Sequence, residues 1–145
     1  MDGYKMVKGQ LAEARRKESE SEKITINLGF VDLGHIDLLV EEGFYSNRTD
    51  FIRTAIRNQV LTHGEVLKSS VARRSMVLGL QRFTRQDLEK VLAAGEQLHI
   101  HVLGLATIDD DVSPQLASRA IGSVLVLGAL RASPEVKAAL AARIR

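Results

Sequence analysis

The stretch Lys23-Ile24-Thr25-Ile26-Asn27-Leu28 decides how the first half of this chain folds. Polar and apolar residues alternate strictly over these six positions and β-branched types dominate, which predicts a strand with Ile24, Ile26 and Leu28 on a dry face and Lys23, Thr25 and Asn27 on a wet one. Gly29 ends it. From Val31 to about Glu42 the apolar residues Val31, Leu33, Ile36, Leu39 and Val40 recur at helical spacing, opposite Asp32, Asp37, Glu41 and Glu42, and Gly43 is placed to stop the helix. A second helix is predicted to open at Asn47-Arg48-Thr49-Asp50, with Asn47 as its cap and Asp50 reciprocating, and to run to about His63 on the stripe Phe51, Ile52, Ala55, Ile56 and Val60.

A six-residue strand leaves backbone groups on both edges in need of partners, and the segments that follow it are helical. The simplest partner is the same strand of a second copy. The module therefore reads as a dimer whose two-stranded ribbon rests on four helices, with Ile24, Ile26 and Leu28 in the dimer core.

Strand, helix, glycine turn and capped helix in this order, with the wording Lys-Ile-Thr-Ile-Asn-Leu and Gly-Phe-Tyr-Ser-Asn-Arg-Thr-Asp-Phe-Ile-Arg-Thr-Ala-Ile-Arg, resemble the ribbon-helix-helix DNA-binding family of CopG and Arc repressors and nickel-responsive regulators, over residues 22 to about 62. The resemblance implies that the ribbon enters the major groove of double-stranded DNA and that its outward side chains, here Lys23, Thr25 and Asn27, read base edges. It also implies that the start of the second helix, here Asn47, Arg48 and Thr49, anchors the phosphate backbone. The residue chemistry fits independently: lysine donates to guanine O6 or N7, asparagine makes a bidentate pair with adenine, and threonine bonds a base or touches a thymine methyl. Free amides at a helix start suit a phosphate oxygen. Arg53 and Arg57, one turn apart on that helix, read as surface or dimer-contact residues.

The second half repeats. Val77-Leu78-Gly79-Leu80 returns 25 residues later as Val102-Leu103-Gly104-Leu105 and, 24 residues after that, as Val126-Leu127-Gly128-Ala129. Each copy is followed by a cap and a helix-like stretch, Thr84 before Arg85 to Ala94, Ser113-Pro114 before Gln115 to Ala120, and Ser133-Pro134 before Glu135 to Ile144. Three β-α units with parallel strands and helices on one side are predicted, a period in the range of leucine-rich-repeat-like solenoids but without their Asn or Cys ladder. Unpaired edges at both ends of such a stack suit association of further copies through residues 74–145.

The expected fold class is thus α+β: a flexible arm over 1–21, a ribbon-helix-helix domain over 22–68, a linker at 69–73, and a three-unit, solenoid-like β-α repeat domain over 74–145. The arm carries a basic cluster, Arg15-Arg16-Lys17, and nascent helix is expected around Leu11 to Lys17.

Composition narrows the function. The 145 residues hold 20 Lys+Arg, 18 Asp+Glu and no Cys, which removes disulfides, thiolate metal sites and cysteine nucleophiles. Residues 1–68 carry 10 basic and 11 acidic residues and residues 69–145 carry 10 and 7, so the first half is not basic in bulk. That excludes a generic polyelectrolyte binder and leaves a small, sided reader. No apolar run is long enough to span a membrane and no signal segment is evident, so a cytoplasmic, nucleoid-associated protein is expected, with no membrane partner. No catalytic constellation, metal site or cofactor is expected. His99 and His101 share a strand face but read as structural or surface residues, and Asp109-Asp110-Asp111 reads as a solvated loop before a helix start. The leading expectation is a sequence-specific transcriptional repressor; the alternatives are an antitoxin or plasmid-partition factor, and a self-assembling scaffold whose ribbon only dimerises.

Overall fold

The computed structural model describes residues 20–145, so the expected helix within the arm lies outside the described residues. These residues fall into two compact units that divide between His63 and Gly64.

The first unit contains α1 (Phe30–Glu41) and α2 (Arg48–Thr62). Gly43, at φ +84°, turns the chain after α1, a left-handed conformation that glycine adopts without steric cost. Asn47 caps α2 by accepting the Asp50 amide on its side-chain oxygen at 2.8 Å. Tyr45 packs edge-on against Phe51 with ring centroids 5.0 Å apart. Residues 21–29 form neither helix nor ladder in the single chain.

The second unit begins with α3 (Gly64–Arg73). This corrects the expected boundary: residues 69–73 are not a linker but the end of a helix, and the division lies five residues before the expected one at 68. The run Glu65 to Arg73 contains no Pro or Gly, so its polar composition does not interrupt helical hydrogen bonding.

Three strands follow, β1 (Val77–Phe83), β2 (Leu98–Ile108) and β3 (Ile121–Arg131), interleaved with α4 (Arg85–Ala93), α5 (Pro114–Ala120) and α6 (Pro134–Leu140). They form one parallel sheet in the order β1-β2-β3. The repeats align residue on residue: Gly79 pairs Gly104 and Gly104 pairs Gly128, with Leu78, Leu103 and Leu127 in the neighbouring row. What the structure establishes is this three-stranded parallel sheet; the finer solenoid likeness adds nothing to it.

The starts of α4, α5 and α6 obey the expected capping chemistry. Thr84 and Asp87 form a reciprocal capping box on α4, and the Ser113 and Ser133 hydroxyls accept the amides of Leu116 and Val136. The last helix is shorter than expected: α6 stops at Leu140, a 3-10 turn covers Ala141–Arg143, and Ile144 bridges to Val124 on the outer edge of β3. Arg143 accounts for the departure, its guanidinium donating to the Ser118 and Ile121 carbonyls.

The core of this unit is Leu88, Ile100, Val102, Ala106, Ile108, Ala117, Ile121, Val124, Val136 and Leu140, each almost wholly buried between sheet and helices. The first unit differs sharply, since Ile36 is its one buried hydrophobic residue among those described.

Candidate nucleic-acid interface

Lys23, Thr25 and Asn27 are exposed, as a base-reading row must be. The intervening apolar residues are also largely uncovered, Ile24 at 75% and Ile26 at 62%. Ile26 and Leu28 nonetheless line one hollow of about 400 Å³ together with Ile36 of α1 and Phe51, Ile52 and Ile56 of α2. Two of the three dry-side residues, Ile26 and Leu28, therefore border the helices while Ile24 does not, and the hollow stays open in a single chain. Burial of apolar surface is worth about 25 cal/mol per Å², so this opening is a strong drive for something to close it.

The start of α2 gathers three features. Asn47 spends its side chain on the Asp50 amide, and Asp50 returns its carboxylate to the Ser46 amide at 2.9 Å rather than to that of Asn47. The reciprocal box expected at Asn47 is thus shifted by one residue. The Arg48 and Thr49 amides have no acceptor among the described residues, so two donors at the positive end of the helix dipole face outward. The Thr49 hydroxyl is exposed beside them.

Arg48 has a partner within the chain. Its guanidinium is clasped by Asp37 of α1, Nε to Oδ1 and Nη2 to Oδ2, both at 2.8 Å. This fork-to-fork pair holds the Asp37 carboxyl below its ordinary value of 3.8 and raises the Arg48 guanidinium, in each case chiefly through the shared hydrogen bonds. A depressed carboxyl stabilises the fold fully above its unfolded value and loses that contribution only as pH falls through the still lower folded value. The clasp therefore holds at neutral pH and persists to lower pH than an unpaired aspartate would allow. Both side chains are about half exposed, so what it contributes is orientation of the helix start more than stability.

Asp37 joins the candidate site through this pair, a contact that its sequence position does not signal. It sits on what reads as the wet face of α1, and its partner lies 11 residues on, across the turn, where no helical spacing signals the pair.

The remaining candidates have hydrogen-bond partners within the second unit. His99 and His101 lie on one face of β2 as their spacing predicts, and both meet the Ser123 hydroxyl, His99 Nδ1 at 2.8 Å and His101 Nε2 at 3.3 Å. Among the described residues, no three His, Cys, Asp or Glu side chains stand close enough to share a metal ion. Asp109 is not simply solvated: it takes both arms of Arg82 at 2.7 and 2.8 Å and ties the end of β1 to the loop after β2. No described helix is long and apolar enough to cross a membrane.

Two short helices, an alternating segment they leave half uncovered, and outward amides at the second helix start mark a small domain with an open apolar hollow beside an exposed polar row. Residues 19–137 match the Ribbon-Helix-Helix transcriptional regulator family, and the chain belongs to that family. The match runs through both units, well beyond residues 22–62, so the repeat unit is part of the family pattern and not an unrelated appendage. No curated protein and no solved structure matches the chain. Membership places the protein among DNA-binding transcription regulators, a class that is not generally enzymatic.

Proposed function

We propose that the protein is a sequence-specific transcriptional repressor that binds double-stranded DNA as a homodimer. Residues 23–28 of two copies pair as an antiparallel ribbon, Ile24, Ile26 and Leu28 close the open hollow, and Lys23, Thr25 and Asn27 read base edges in the major groove. The observation that carries this reading is the open hollow itself: among the described residues of the first unit Ile36 is the one buried hydrophobic residue, and apolar side chains of the 23–28 segment and both helices remain uncovered around the hollow that such pairing would close.

The helix starts of α2 grip the flanking phosphates through the Arg48 and Thr49 amides, with the Thr49 hydroxyl beside them. In this reading Arg48 contributes its amide, while its guanidinium braces the helix against Asp37. Repression follows from occupation of the promoter, and the repeat unit brings neighbouring dimers together.

The decisive experiment is genome-wide recovery of bound DNA, followed by binding to the recovered site across salt concentration. The expected result is a short repeated motif bound with a linear log-log salt dependence. Weak, uniform binding with no recovered motif would instead fit a scaffold whose ribbon only dimerises.

Substituting Asp37→Asn tests the clasp. With the carboxylate neutralised, Arg48 is free to reach a phosphate, so binding tightens at low salt and the log-log slope steepens by about 0.9 for each phosphate gained. An unchanged slope means that Arg48 does not reach the DNA backbone.

A further inference from the structure

The sheet of the second unit is held together by a device left unused at both of its ends. A Cβ built on Gly104 would lie 2.2 Å from the Gly79 carbonyl oxygen, and one built on Gly128 would lie 2.1 Å from the Gly104 carbonyl oxygen. Each glycine thus leaves vacant the space that the preceding strand's carbonyl fills, and both hold a positive φ, +139° and +121°. Gly79 holds the same kind of conformation, φ +120°, yet its Cβ position meets nothing within 4 Å. The first strand has the receptor for a neighbouring carbonyl and no neighbour.

The opposite edge has the matching part. The Gly79 carbonyl points to β2 and the Gly104 carbonyl to β3, so by the same repeat the Gly128 carbonyl points to the open side of β3. On that side the chain itself supplies a bridge from Ile144 to Val124 and the Arg145 amide to the Val124 carbonyl, two residues short of Val126. A strand entering beside Val126 to Arg131 must carry glycine opposite Gly128, because any side chain there would collide with the carbonyl. The flanking leucines agree: Leu78 is 71% exposed, Leu80 61% and Leu127 46%, and they are the open ends of rows that run through Leu103 and Leu105.

We propose that β1 of one copy adds in parallel to β3 of a second copy, with Gly79 opposite Gly128, Val77 opposite Val126 and Leu78 opposite Leu127. The occupant is another copy of this chain because β1 offers the glycine that the β3 edge demands, in register with the leucine that continues its row. Such a contact is heterologous: the joined pair keeps one free β1 edge and one free β3 edge, so the sheet grows from chain to chain without closing on two. The inference deepens the role given to the repeat unit above and rests on the first unit pairing chains, which makes each particle a dimer with two edges of each kind.

Light scattering on the full-length protein without DNA tests the contact. The wild-type particle mass is expected to rise with concentration to more than twice that of two chains. Leu78→Lys and Leu127→Lys, both at exposed positions, each stop growth at two chains. An equal mixture of the two variants regains growth, because the first keeps its β3 edge and the second its β1 edge. Gly79→Ala also stops at two chains while retaining the circular dichroism of the folded sheet. A wild-type mass fixed at two chains, variants that grow like wild type, or a mixture that stays at two chains overturns the proposal; the last is what face-to-face packing of two sheets would give. Residues 23–28 are intact in every variant, so a failed edge contact leaves DNA binding by single dimers measurable and separate.

Discussion

Gly104→Ala is expected to unfold the second unit. Its new methyl would sit 2.2 Å from the Gly79 carbonyl oxygen, at a backbone φ of +139° that L residues rarely hold. A strained backbone of this kind costs about 1–3 kcal/mol and overpacking a further 1–3 kcal/mol. Together, about 2–6 kcal/mol, they remove a large share of the stability of a small domain, about 5–15 kcal/mol, and at the upper end all that a marginal one has. Gly104 lies in the middle strand, so relief by movement breaks the ladder to β1, to β3 or both. Gly95→Ala provides the comparison, since Gly95 also has a positive φ, +70°, but nothing lies within 4 Å of its Cβ position. It should cost about 1–2 kcal/mol, the ordinary penalty of a left-handed residue. Thermal unfolding followed by far-ultraviolet circular dichroism checks both, and equal effects for the two alanines would show that the carbonyl contact is not what matters.

Asn27→Ala should abolish discrimination at one base pair of each half-site. Loss of a bidentate contact to adenine costs about 1–3 kcal/mol per half-site, and a symmetric dimer loses it twice. Lys23→Ala should act similarly at a guanine. Both side chains are exposed, so neither change should disturb dimerisation, which sedimentation can verify. Arg53→Ala, on the exposed surface of α2, serves as the comparison and should leave sequence preference intact. If Asn27→Ala and Lys23→Ala bind every sequence as wild type does, the ribbon does not read bases and the scaffold reading takes over.

Much of this architecture is legible in the residues because it rests on local rules. The glycine after α1, the Asn47 cap and the Thr84, Ser113 and Ser133 helix starts each need information from within four residues, and α1, α2, α4 and α5 appear within a residue or two of their expected limits. The repeated Val-Leu-Gly wording likewise announces strands that align in register, and the register places glycine on glycine. What escapes the sequence depends on distance or on competition. The Asp37 clasp joins two turns that no periodicity relates. The Asp109 to Arg82 pair spans 27 residues and turns an apparently solvated acid into a tie between strand end and loop. Helix α3 is hidden by Lys68-Ser69-Ser70, a polar wording that suits a linker and an exposed helix equally well. The final helix yields to Arg143, whose long side chain finds two carbonyls that no local pattern foretells. At the candidate interface, alternation alone proposes the polar row Lys23, Thr25 and Asn27, whereas nothing local signals the Asp37–Arg48 pair at the start of α2.

That Ile36 is the one buried hydrophobic residue among those described in the first unit would give the proposed dimer an unusual dependence on chain supply. A domain with so little interior of its own gains its stability by mass action, in proportion to the logarithm of partner concentration. If the partner is a second copy, as proposed, the level at which chains meet is also the level at which their reading heads become ordered. Scarce chains would then be both inactive and open to proteolysis, so a cell that lowers expression would clear the regulator faster than dilution alone allows.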